Sequence, residues 1–203
     1  MSRSAQAERL LEEHGRTYAE EAGIRLRNTP SPLYRLLTLC VLLSVRIKAD
    51  IAVAAARELS AAGMRTPRAM AQASWQDRVN ALGRAHYRRY DESTATALGD
   101  GAEFLLDRYR GDLRRLREEA GGDPERVRGL LREFPRIGPV GADIFSREAQ
   151  GVWPELRPAF DTRAREAAAG LDLPKTPEGL ARLVTGDDLP RLAAALVRVA
   201  LAK

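Results

Sequence analysis

Along most of the chain, apolar and polar positions follow the spacing of helices separated by short, marked breaks. Residues 5–24 read as a polar, charged helix, and Asn28-Thr29-Pro30-Ser31-Pro32 then interrupts the pattern. Residues 33–45 are almost continuously apolar, which predicts a helix buried on most sides. An alanine-rich helix over 49–62 follows and ends at Gly63, so these two should form a core hairpin. Thr66-Pro67 and Ser74-Trp75 each set a capping side chain before a helical run, and Pro67 takes the first helical position. Two short helices are expected there, the second closing at Gly83.

Residues 84–91, Arg-Ala-His-Tyr-Arg-Arg-Tyr-Asp, read as a basic, aromatic surface connection. Helical spacing resumes over 92–109 and again over 113–120, up to Gly121-Gly122. Asp123-Pro124 opens a helix through Phe134, residues 135–138 make a tight turn, and 139–150 are helical again. After a loop over 153–160, Asp161 caps a helix over 162–169, Thr176-Pro177 begins another, and 189–201 closes the chain. Alanine, leucine and arginine dominate and aromatics make up 5%, so packed helices are favoured over sheet and the expected class is all-α. At 203 residues and 44% hydrophobic content, one compact unit of one or two small lobes is expected.

The formal charge of +5 suits a polyanionic partner, although many ordinary basic proteins carry as much. Only Lys48, Lys175 and Lys203 are lysines, so arginine supplies thirty of the 33 basic residues. The single cysteine, Cys40, lies in an apolar run and reads as a core residue. One cysteine excludes an internal disulfide and a cysteine-ligated zinc site or cluster. Residues 1–13 lack an apolar signal core and no stretch reaches the length of a membrane span, so a cytoplasmic protein is expected.

In Phe134-Pro135-Arg136-Ile137-Gly138-Pro139-Val140-Gly141-Ala142 a turn passes directly into a helix. Unpaired N–H groups at such a helix start, beside the positive end of its dipole, suit a phosphate. Gly138 would allow close approach and Pro139 would preset the first turn, so the grip would not depend on base sequence. The same residues also fit a plain αα-corner in which Gly138 serves only the turn. Asp161 has two readings as well, a helix N-cap and a reacting carboxylate.

The region resembles the helix-hairpin-helix DNA glycosylases of the endonuclease III group. Their pattern is a Leu-Pro-Gly-Val-Gly-like hairpin, an alanine four residues on, and an aspartate about two dozen residues later in a Val-Asp-Thr-like run. Phe134 to Gly138, Ala142 and Phe160-Asp161-Thr162 match it, and Leu42-Leu43-Ser44 with Lys48 resembles the family's buried Leu-Leu-Ser helix. The resemblance spans about 31–173. It implies an all-α helix-hairpin-helix glycosylase fold with two small helical lobes flanking a DNA-binding cleft. Residues 1–30 and 124–203 would form one lobe carrying Asp161, residues 31–123 the other, with the hairpin 134–144 at the cleft. It also implies that Asp161 stabilises the cationic sugar formed as a glycosidic bond breaks, as a carboxylate near developing positive charge can. In this family one aspartate can be both cap and catalyst.

The chain departs from the family at three points. Bifunctional members carry a Schiff-base lysine where this chain has Val140, so water is the expected nucleophile. Arg136 replaces the first hairpin glycine, at about 1 kcal/mol if that position needs a positive φ. The four-cysteine iron-sulfur cluster of many relatives cannot be held, so no cofactor and no metal are expected, and the closing helix would supply that packing. A base must be extruded before it can be removed, and the vacated stack filled. By position in the family, Arg46 is the leading plug candidate, and Arg84, His86, Tyr87 and Arg88 are candidates on the wedging connection. Bland roles remain for each: a solvated cation for Arg46, a surface packer for Tyr87 or Tyr90, a surface histidine for His86. Trp75 and Trp153 read as anchors of core or loop, and Asp143 as a solvated position on the second hairpin helix. The expected DNA contacts are therefore Arg136, Ile137, Gly138, Val140, Gly141, Arg46, Lys48, Arg84, His86, Tyr87 and Arg88.

The implied partner is double-stranded DNA with a damaged or mismatched base, bound by a monomer that associates with the nucleoid. Two alternatives stand beside a monofunctional glycosylase: a non-catalytic DNA-binding or damage-sensing protein, and an abasic-site lyase using Lys48.

Overall fold

The computed structural model describes residues 2–202, and its regular structure is helical throughout them. The amino-terminal stretch departs from expectation. In place of one helix over 5–24 it forms α1 (Arg3–His14) and a single turn, α2 (Tyr18–Glu21). The Gly15 amide closes α1 on Leu11 O, and Thr17 restarts the chain with a reciprocal capping box to Glu20. A paired start signal outweighs the helical propensity of the flanking residues.

Helix α3 (Pro30–Leu43) is deeply buried, with Leu33, Leu36, Leu39, Cys40 and Leu42 fully enclosed. The almost unbroken apolar run is explained by packing on several sides at once, against α4 (Ala49–Ala61), α7 (Asp91–Tyr109), α8 (Leu113–Ala120) and α10 (Pro139–Ala149). Between them, α5 (Pro67–Gln72) is capped by Thr66 and α6 (Trp75–Arg84) by Ser74, and both pack on α7. Buried Arg78 ties these three helices, donating to the carbonyls of Met70, Ala73 and Ala95.

Next, α9 (Pro124–Leu131) and α10 frame the hairpin, α11 (Thr162–Gly170) starts at Asp161, and α12 (Pro177–Ala181) follows. The closing helix α13 (Leu189–Leu201) buries Leu192 through Leu196 against α1, α11 and α10. Helix α10 thus touches both α3 on one side and α13 on the other. That position lets it connect a surface hairpin at its start with a buried network at its end. Trp153 is fully enclosed beside Phe145, with the Arg117 guanidinium 5.5 Å from its ring centre, as its reading as an anchor requires.

Candidate active site

The hairpin is built by local conflict resolved in favour of the turn. Arg136 adopts φ 66°, the left-handed conformation that the replaced glycine would hold freely, and its guanidinium donates to Ser93 Oγ at 2.5 Å. Ile137 is a correction to the expected contacts. Its side chain is buried in the core and its amide is spent on Phe134 O at 3.1 Å, closing the turn. The amides of Gly138, Val140 and Gly141 have no hydrogen-bond partner among the described residues, while Gly138 O accepts the first bond of α10.

The two later glycines serve different ends. A Cβ on Gly138 would meet no described atom within 4 Å, so that position is open to solvent or to a ligand. A Cβ on Gly141 would lie 2.8 Å from Ser44 Oγ and 3.3 Å from Ile137 Cδ1. Gly141 is therefore needed for the close packing of α10 on the end of α3. That contact brings the Arg46 to Lys48 segment beside the hairpin, with both cations exposed.

Tyr87 is a second correction. It is 0% exposed, and its hydroxyl lies 3.4 Å from Leu42 O, to which it donates, and 3.5 Å from Thr94 Oγ1. Its ring is an internal pin that fastens the 84–90 connection to the end of α3, which is why an aromatic residue stands amid arginines there. His86 (φ 58°) and Arg88 are exposed, and Arg84 pairs with Glu58 at 2.7 Å. The hairpin, through Gly141 on Ser44, and the 84–90 connection, through Tyr87 on Leu42 O, thus both meet the carboxyl end of α3, and Arg46, Lys48, His86, Arg88, Arg89 and Arg136 in these segments are exposed.

Asp161 occupies a cleft of about 480 Å³ lined by Glu125 and Arg128 of α9, Asp143 of α10, residues 156–162 and Arg165. Its Oδ1 accepts from Ala164 N at 2.8 Å, capping α11, and its Oδ2 accepts from Arg147 Nη1 at 2.6 Å. The pair is enclosed, with side-chain exposures of 13% and 4%. Burial alone would lower the Arg147 pKa, but Asp161, Glu148 and Tyr18 hold it raised. Glu148 is buried beside Arg147, and burial raises its carboxyl above the ordinary range against the pull of Arg147 and of the amides of Ala19 and Tyr18. Those amides donate to it at 2.9 and 3.3 Å, so Glu148 caps α2 from a distant helix. Tyr18 lies between two guanidinium groups, Arg147 at 5.4 Å and Arg198 at 4.3 Å from its ring centre. Gln150 completes the frame, bonding Ala159 through both its amide N–H and its carbonyl and fixing the strand-like approach to Asp161.

Asp143 is partly solvent-exposed, as expected, but it also lines the Asp161 cleft, and its Oδ1 accepts from Arg128 Nε at 3.3 Å. Residues 140, 143 and 147 lie along one face of α10 at helical spacing, so the hairpin amides and the Arg147–Asp161 pair are about 10 Å apart along the axis. Arg147, Glu148 and Gln150 were not singled out in the sequence. Their one visible signal is a cluster of four polar residues, 146–148 and 150, interleaved with the apolar Phe145 and Ala149 at the end of a helix.

No protein-family description matches the chain, and no curated protein matches its sequence. Among solved structures it is similar to a trapped covalent intermediate of endonuclease III with DNA, an estranged-adenine complex, at 16% identity and TM-score 0.53. It is similar also to a non-covalent endonuclease III–DNA complex, at 18% identity and the same TM-score. Both likenesses cover 97% of this chain and 85% of the other. Among the described residues the chain is all-helical, and its fold is similar to that of endonuclease III. Among the described residues, no helix is long and apolar enough to cross a membrane.

Proposed function

We propose that this chain is a monofunctional DNA glycosylase. It grips duplex DNA through the amides of Gly138, Val140 and Gly141 and the surrounding cations, extrudes a damaged or mismatched base into the cleft at Asp161, and hydrolyses its glycosidic bond with that residue. The observation that carries this reading is the position of Asp161, a carboxylate in a cleft reached along the same face of the helix whose free amides can hold a phosphate. A carboxylate so placed lowers the energy of a cationic sugar. Val140, 60% exposed, stands where a Schiff-base lysine would be needed, and Lys48 does not line the Asp161 cleft. Both support water as the nucleophile. The iron-sulfur cluster of many relatives has no ligand set here, because Cys40 is the lone cysteine and is buried within α3.

The ion pair with Arg147 favours one other reading, a DNA-binding protein without catalysis, since both Asp161 oxygens already have partners. The test uses duplexes carrying uracil, alkylated, oxidised, ring-opened or mismatched bases, each split with and without alkali and with borohydride added. The glycosylase reading expects alkali-dependent strand cleavage on at least one duplex and no trapped protein–DNA adduct. Binding without base release on any duplex would leave the non-catalytic reading, and trapping lost in Lys48→Ala would establish a lyase.

A further inference from the structure

The cleft that holds Asp161 contains a second carboxylate in an unlike environment. Asp161 is pinned at both oxygens, to a buried arginine and to the start of α11. Asp143 is held only through Oδ1, at 3.3 Å from Arg128, and Arg128 is bound more closely to Glu125, at 2.7 Å. Its Oδ2 has no hydrogen-bond partner among the described residues. Burial raises the Asp143 carboxyl above the ordinary aspartate range, Arg128 opposes the rise, and Asp161 and Glu125 add to it. The other charged groups lining the cleft are Arg157 and Arg165. Within one cleft, then, Asp161 has both oxygens engaged while Asp143 keeps one oxygen free, and two carboxyl groups in unlike surroundings can divide into a proton donor and an electrostatic partner.

We propose that Asp143 is the general acid of base release. The inference rests on the glycosylase reading above. As the bond from C1′ to the base nitrogen breaks, its electron pair leaves with the base, and the base takes the proton of the Asp143 carboxyl. The Asp161 carboxylate, held by Arg147 and Ala164 N, stands against the cationic sugar. Water then adds to C1′ and gives its proton to the Asp143 carboxylate, which restores the acid. The division explains why the less firmly held carboxylate is the one with a free oxygen, since a proton donor must meet the departing group.

The test measures base release under single-turnover conditions for the parent, Asp143→Asn and Asp161→Asn, across pH. Asp143→Asn is expected to slow release on the order of 100-fold or more with DNA affinity kept. It should also lose the fall in rate that the parent shows at rising pH, and recover most of its rate on a duplex whose base departs readily as an anion. In the free protein, the Asp143 carboxyl carbon followed by NMR should titrate above the ordinary aspartate range and move down in Asp161→Asn. Asp143→Asn releasing bases at the parental rate, or slowing every substrate equally at every pH, would overturn the proposal. So would an Asp143 titration at or below the ordinary range. If Asp161→Asn is inert while Asp143→Asn is unimpaired, only this proposal fails. If the parent releases no base from any duplex, the glycosylase reading falls and this proposal falls with it.

Discussion

The two ends of α10 are built on opposite principles. At its start, Gly138 faces open space, Val140 is exposed and three amides await a partner. At its end, residues 144–150 are all buried, and Arg147, Glu148 and Gln150 each satisfy a group from another part of the chain. The open end can grip a repeating phosphate backbone by fixed dipoles alone, with little supporting structure. The closed end must hold one carboxylate in one place, which takes a frame of enclosed, mutually bonded groups. On the proposed function, one helix would set the spacing between a general grip and a specific reaction.

The largest effect should come from breaking the frame. Arg147→Met leaves Glu148 buried without its cation and frees Asp161, and removing one partner of such a pair costs about 3–5 kcal/mol. Urea denaturation should show that loss. A change under about 1 kcal/mol would mean that the closed end is not a stability element, and the contrast with the open end would fail.

The glycines of the open end offer a finer separation. Gly141→Ala drives a methyl group into Ser44 Oγ and should cost about 1–3 kcal/mol, with part of that recovered when Ser44→Ala is added. Gly138→Ala meets no atom and should cost about 1 kcal/mol or less, while weakening DNA binding by crowding the open amides. Equal stability losses at the two positions would contradict their separate roles. The smallest effect is expected at Arg136. Its replacement by alanine should weaken binding similarly on all sequences and lower the salt slope of affinity by about one, as for a single phosphate contact.

Much of this architecture was legible from local chemistry. Wherever a capping side chain stood before a proline or an apolar run, as at Thr66, Ser74, Asp123, Asp161 and Thr176, a helix begins at that place. The break at Gly15 was hidden because residues 5–24 are good helix formers on both sides of it, and only the Thr17 box reveals the restart. The positive φ of Arg136 could be anticipated from the glycine it replaces. The frame around Asp161 could not, because its meaning lies in distant partners. Glu148 is 130 residues from Tyr18, and a charged residue in a helical pattern reads as a solvated face until its neighbours are known. Tyr87 was misread for a related reason. Its surrounding arginines mark a surface strand of chain, and only the carbonyl of Leu42, 45 residues away, explains a ring turned inward.

The role of Asp161 is tested by the rate at which abasic sites form on a lesion-bearing duplex with the parent and with Asp161→Asn. The amide keeps an oxygen for Ala164 N but leaves the buried Arg147 cation without its charged partner, so urea denaturation and DNA affinity are measured beside the rate and the comparison is made at a temperature where the variant is folded. Alkali-dependent cleavage is expected from the parent, with a fall on the order of 100-fold or more in the variant. Equal rates for the two proteins would contradict that role.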